Sequence, residues 1–202
     1  MKKFIGLVTV ITCMLISCDK QELNSMQNDA EYFPNSVGLY WKYQRHDSIS
    51  NIITIDTINV SITADTLISN KIFKIWEYEF TNSIKKYYVT QSNDSVFIYD
   101  SPQIDVIEKI YIIPFALNDG WVIPTRRNDT SYVANIQDIT INEMTYDDVF
   151  KIKRREFGFA NNAKFETIWF KPYVGLVRID LYYFSLGPYK DETWLLIDTN
   201  VE

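Results

Sequence analysis

Histidine is almost missing from this chain of 202 residues, where His46 stands alone. No metal can be held by two of its imidazoles, and His46, at the end of an early extended run, reads as a surface residue. Cysteine is nearly as rare. Cys13 and Cys18 both fall in the opening stretch, so the rest of the chain has no disulfide framework, cysteine nucleophile or thiolate metal site. The 6 glycines never form Gly-x-Gly-x-x-Gly or Gly-x-Ser-x-Gly, and no phosphate-cradling loop ends in Gly-Lys-Ser or Gly-Lys-Thr. Nucleotide cofactors and an elbow-mounted serine nucleophile therefore lack their usual signatures, and neither cofactor nor metal is expected. A basic surplus is absent too. The formal charge is −6 at pH 7, more negative still without Lys2 and Lys3, which argues against nucleic acid, whose phosphates need a cationic face.

Long apolar runs are confined to the start. Met1-Lys2-Lys3 leads into a mostly apolar run from Phe4 to Ile16, the charged and hydrophobic regions of a secretory signal. A membrane span needs about twenty such residues, so this run is too short to serve as one. Next comes Leu15-Ile16-Ser17-Cys18, which resembles the lipobox of bacterial lipoproteins. That resemblance implies a diacylglyceryl group on the Cys18 thiol, cleavage between Ser17 and Cys18, and acylation of the new amino terminus. One acyl chain gives only reversible membrane binding, whereas two or more, at about 0.8 kcal/mol per buried methylene, hold firmly. Residues 1–17 are then a signal peptide and residues 18–31, which are polar and aperiodic, a lipidated flexible tether reaching roughly 45 Å when extended. The first partner implied is a lipid bilayer through Cys18, in the bacterial cell envelope and, by expectation, at the outer membrane.

Residues 32–202 read as one domain. Leu39, Trp41 and Tyr43 alternate with Tyr40, Lys42 and Gln44, and Ile58, Val60 and Ile62 alternate with Asn59, Ser61 and Thr63. This is the period of a half-buried strand. Between Ile72 and Phe80 the same rule puts Ile72, Trp76, Tyr78 and Phe80 on one face and Phe73, Ile75, Glu77 and Glu79 on the other. Further short strands follow between turn residues, with Pro114 to Trp121 read as a turn and Leu186-Gly187-Pro188 closing a last hairpin. No segment carries a 3.6-residue stripe. The expected fold is all-β, a single antiparallel meander sheet of about ten strands, curled into a half-barrel, barrel or two-layer sandwich to bury one face.

Acidic pairs are the nearest thing to a catalytic set. Asp147-Asp148 and Glu77 with Glu79 suit a carbohydrate-active enzyme only across a cleft of about 5 to 10 Å, and they read first as solvated faces or turns. Asn93-Asp94, Asn118-Asp119 and Asn128-Asp129 lack the spacing of a calcium loop. The remaining anomaly is aromatic. Trp41, Trp76, Trp121, Trp169 and Trp194 read first as core, with a concave groove for a lipid or glycan as the rival.

Tyr32-Phe33-Pro34, Val37-Gly38 and Tyr40-Trp41, taken with Trp169-Phe170, Pro172 and Val174-Gly175-Leu176-Val177, resemble uncharacterised lipoproteins of the Bacteroidota. The meander is similar, more distantly, to the half-barrels of the LolA-like superfamily, which hold acyl chains in an apolar hollow; this chain lacks the helices that line that hollow. The function expected is a non-enzymatic, membrane-anchored binding or structural module for an envelope protein, lipid or glycan. A carrier of acyl chains or lipoproteins is the alternative, followed by the carbohydrate-active enzyme.

Overall fold

A computed structural model describes residues 32–50, 52–92, 94–103, 107–123, 129–157, 163–184 and 190–201. Residues 1–17, Cys18, the 18–31 tether and the Leu186-Gly187-Pro188 turn lie outside the described residues. The described chain is one antiparallel sheet of 12 strands. In chain order these are β1 (Tyr40–Ile49), β2 (Ile52–Ile68), β3 (Lys71–Phe80), β4 (Ser83–Ser92), β5 (Ser95–Tyr99) and β6 (Ile107–Ile112). Then come β7 (Gly120–Ile123), β8 (Asp129–Ile141), β9 (Met144–Phe157), β10 (Ala163–Lys171), β11 (Gly175–Phe184) and β12 (Lys190–Thr199).

The first and last strands pair, and two meanders run outward from them, so that the sheet order is β6-β5-β4-β3-β2-β1-β12-β11-β10-β9-β8-β7. The sheet curls until its two edges meet. β6 and β7 touch without a shared ladder, leaving a nearly closed barrel with one seam. Side chains cross that seam. The Trp121 indole of β7 donates to the Ile110 carbonyl at 2.8 Å, and Arg154 of β9 donates to the Glu108 carbonyl at 2.8 Å. β7 begins inside the stretch from Pro114 to Trp121 expected as a turn: Gly120 and Trp121 are its first two residues.

Alternation carries the core. Trp41, Tyr43, Ile58, Val60, Ile62, Trp76, Val177 and Ile179 all point into the barrel and are buried. The rule fails at the start of β3. Phe73, which alternation puts on the face of Glu77 and Glu79, is 1% exposed against Tyr99, while Ile72, which it puts with Trp76 and Tyr78, is 63% exposed. β1 pairs with β2 only as far as Ser61, and β4 with β3 only from Lys74 onward, so the β2–β3 hairpin runs past the barrel and has no interior to face.

One end of the barrel is filled by the segment before β1. Phe33 enters the interior with ring centroids 5.6 Å from Phe170, 5.8 Å from Trp76 and 5.8 Å from Tyr111. Its neighbours are fixed by hydrogen bonds. Tyr32 accepts from Phe115 N at its hydroxyl (3.0 Å) and from Tyr173 N at its carbonyl (3.0 Å), and Asn35 accepts from the Trp76 indole at 2.9 Å. Tyr32-Phe33, Phe170 and Val174-Gly175 thus meet at this packed end.

Gly175 shows how tightly. Its φ of +101° is left-handed, and a Cβ there would stand 3.1 Å from the Trp41 Nε1, whose indole donates to the Val174 carbonyl at 2.7 Å. Gly175→Ala is expected to destabilise the fold by more than about 1 kcal/mol through backbone strain and displacement of Trp41. Urea denaturation would measure this, and an unchanged midpoint would contradict it.

Candidate functional site

Beyond the packing around Phe33 the barrel interior is not filled throughout. There a cavity of about 270 Å³ is walled by Tyr78, Phe80 and Tyr87 from β3 and β4 and by Leu181, Tyr183 and Trp194 from β11 and β12. Phe33 and Trp76 lie at its inner end. Known ligand pockets run from roughly 300 to 1,000 Å³, so this chamber is small but of the right order.

Charged residues of inward parity share its walls, where a strand facing an ordinary core would carry apolar ones. On one side Glu166 of β10 is 4% exposed, accepting from Lys109 of β6 at 2.6 Å and from Arg154 of β9 at 3.3 Å. Burial alone would raise its carboxyl, but Lys109, Lys164 and Arg154 outweigh that and hold it at about 2. On the other side Glu192 of β12 meets Lys190 at 2.8 Å and Arg45 at 3.3 Å. Arg45 in turn reaches Asp47 at 2.6 Å and Asp56 at 3.5 Å. Burial pushes the phenols of Tyr43, Tyr78 and Tyr111 well up, so they stay neutral donors, and Tyr43 donates to the Leu176 carbonyl at 2.8 Å.

Cations also sit over rings around this part of the barrel. Lys85 Nζ lies 4.6 Å from the Tyr87 ring centroid, Arg45 5.9 Å from that of Phe80, and Lys190 5.4 Å from that of Tyr183. Among the described residues no three His, Cys, Asp or Glu side chains are placed to hold a metal.

Of the five tryptophans, the chamber gathers two. Trp76 and Trp194 line it; Trp41 stacks on Trp76 at 5.2 Å within the packed core, and Trp121 crosses the seam. Trp169 has the opposite parity to inward Ile168. Its ring is covered from outside by Arg178 at 4.6 Å and Lys151 at 5.2 Å. A single groove of all five does not form, because β-strand parity and the seam send them to different places.

The acidic pairs lie away from the chamber. Asp148 sits in a bulge of β9, with φ +47° and its N–H bonded to Asp138, and the Asp147 side chain, 74% exposed, pairs with Lys171 at 2.6 Å. Glu77 pairs with Lys86 at 2.6 Å, and Glu79 reaches Asn59 at 3.4 Å on an exposed surface. His46 is half-buried beside Gln44, its Nε2 3.1 Å from the amide oxygen. The interior charges Lys109, Arg154 and Glu166 were not anticipated. Their signal was present in Lys164, Glu166, Ile168 and Phe170, where charge occupies the parity that the same strand gives to its core.

No family model matches this chain, and no curated protein matches it. Among solved structures it is similar to a crystal structure of a candidate lipoprotein from Parabacteroides distasonis ATCC 8503. The two are 16% identical, over 84% of this chain and 98% of that one, with a TM-score of 0.45. That score is below the level that marks a common fold.

Because the folded carboxyl of Glu166 lies below its ordinary 4.5, its contribution to stability is complete above about pH 4.5 and is lost as the pH falls toward about 2. Glu166→Gln is expected to flatten the stability profile in that window. At neutral pH it should cost about 3 to 5 kcal/mol, since Lys109 and Arg154 lose their buried counter-charge. Denaturant titrations of both proteins from pH 5 to about pH 2 would check this, and parallel profiles would refute it.

Proposed function

We propose that this chain is a lipid-anchored, non-enzymatic binding module of the bacterial envelope, held at the outer membrane through acylated Cys18, and that its ligand occupies the barrel chamber. The observation that carries the reading is the incompletely filled barrel. An interior packed throughout by large side chains would be a purely structural domain, whereas here the packing stops beyond Phe33 and Trp76 and a ring-walled space of about 270 Å³ begins. The address rests on the signal-like start and on Leu15-Ile16-Ser17-Cys18.

A binding role fits the chamber's carboxylates better than a catalytic one. Glu166 and Glu192 are each engaged by two cations, an arrangement that fixes them as ions rather than as proton donors to a leaving group. Asp147 and Asp148 stand outside the barrel interior.

Two measurements test the reading. Metabolic labelling with an alkyne palmitate should mark the wild-type chain and leave Cys18→Ser unlabelled and released from membranes; persistent label would remove the anchor. Native mass spectrometry of the whole chain carrying Cys18→Ser should show a small-molecule adduct that disappears when Leu181→Trp fills the chamber. A bare mass in both would count against the ligand.

A further inference from the structure

The chamber wall formed by β4 and β6 carries donors that are not all used by partners among the described residues. Lys109 commits one of its three ammonium donors to Glu166 at 2.6 Å, and no second hydrogen-bond partner for it occurs among the described residues. Lys85 lines the same chamber with no hydrogen-bond or ion-pair partner among the described residues, its ammonium 4.6 Å from the Tyr87 ring centroid. The Tyr87 hydroxyl is the third. It has no hydrogen-bond partner among the described residues, and burial raises its phenol, so it keeps its proton. Lys109 and Lys164 act electrostatically on that hydroxyl, as do Glu108 and Glu166, so these groups share one neighbourhood.

Little stands there to neutralise them. Glu166 is already shared by Lys109 and Arg154, and Glu192 by Lys190 and Arg45. Lys164 is engaged elsewhere, its ammonium 5.9 Å from the Tyr183 ring centroid. Glu108 is the one lining carboxylate without an ion pair among the described residues, against the two lysines. Beside this polar wall the lining is apolar and aromatic, with Tyr78, Ile98, Leu181 and Trp194.

We infer that the chamber takes an amphipathic anion, a carboxylate or phosphate head on Lys85, Lys109 and the Tyr87 hydroxyl, with an apolar body against Tyr78, Ile98, Leu181 and Trp194. This rests on the chamber being the ligand site. The chain is acidic as a whole, at −6, so general attraction would not bring an anion to it. Selection has to come from the local donors.

The test uses the whole chain with Cys18→Ser and four ten-carbon probes: decanoate, decyl phosphate, decanol and decyltrimethylammonium. Binding is read by calorimetry and by the fluorescence of Trp76 and Trp194 in the chamber. At least one of the two anions should bind about tenfold or more tightly than decanol, the cation should bind least, and the better anion identifies the head group. Lys85→Gln, on the exposed rim, should weaken the anion about tenfold while leaving decanol unchanged, and Glu108→Gln should strengthen it. Equal binding of anion and alcohol, or preference for the cation, would overturn the anionic head yet keep the chamber as a site. If no probe binds, the chamber reading falls together with this inference.

Discussion

A sheet of twelve strands has one face to remove from water, and among the described residues almost nothing but the sheet itself can cover it. Curling is the response, and the other features follow from how far it goes. Inner positions around a barrel converge on one space, so the size of the side chains there decides whether the middle is solid or hollow. Toward the end where Phe33, Phe115 and Phe170 meet, rings fill it: Phe115 and Phe170 lie 5.1 Å apart and Phe33 and Phe170 5.6 Å. Toward the other end the inner positions pass to Arg45, Lys109, Glu166 and Glu192, whose charges are taken up in ion pairs. The space between them is what remains.

Buried charge of this kind is costly, and each group is answered close at hand. The Lys109–Glu166–Arg154 cluster joins β6 to the neighbouring strands β9 and β10, from which it is distant in the sheet order, so it also ties the β6 edge to the far arm of the barrel. The same residues that make the interior polar hold it closed. Polar interior and open seam are in this sense one arrangement.

Much of the fold was legible because a strand period of two is hard to mistake when the apolar residues are as large as Trp41, Tyr43, Ile58 and Val60. Three things were not. β7 was hidden because four residues are too few for alternation to show, and the Phe73 reversal because it depends on where β1 and β4 stop, a property of the neighbours rather than of β3. The chamber was only half visible: Trp76 and Trp194 were singled out for their rings, but parity alone cannot say which inward residues meet across a barrel. Glu166 paired with Lys109 is a contact between residues 57 apart in sequence, and only closure of the sheet brings them together.

The seam between β6 and β7 bears on how this protein behaves in company. An exposed strand edge with bare carbonyls invites the edge of another molecule, and a chain built almost wholly of strands would be prone to such pairing. Here the Ile110 carbonyl is occupied by the Trp121 indole and that of Glu108 by Arg154, while the two edges lie against each other. A neighbouring copy that approached would find acceptors already taken and a bulky ring in the way. Leaving the barrel unlaced at one point therefore need not make it sticky, because what a rival edge would pair with is already engaged from within.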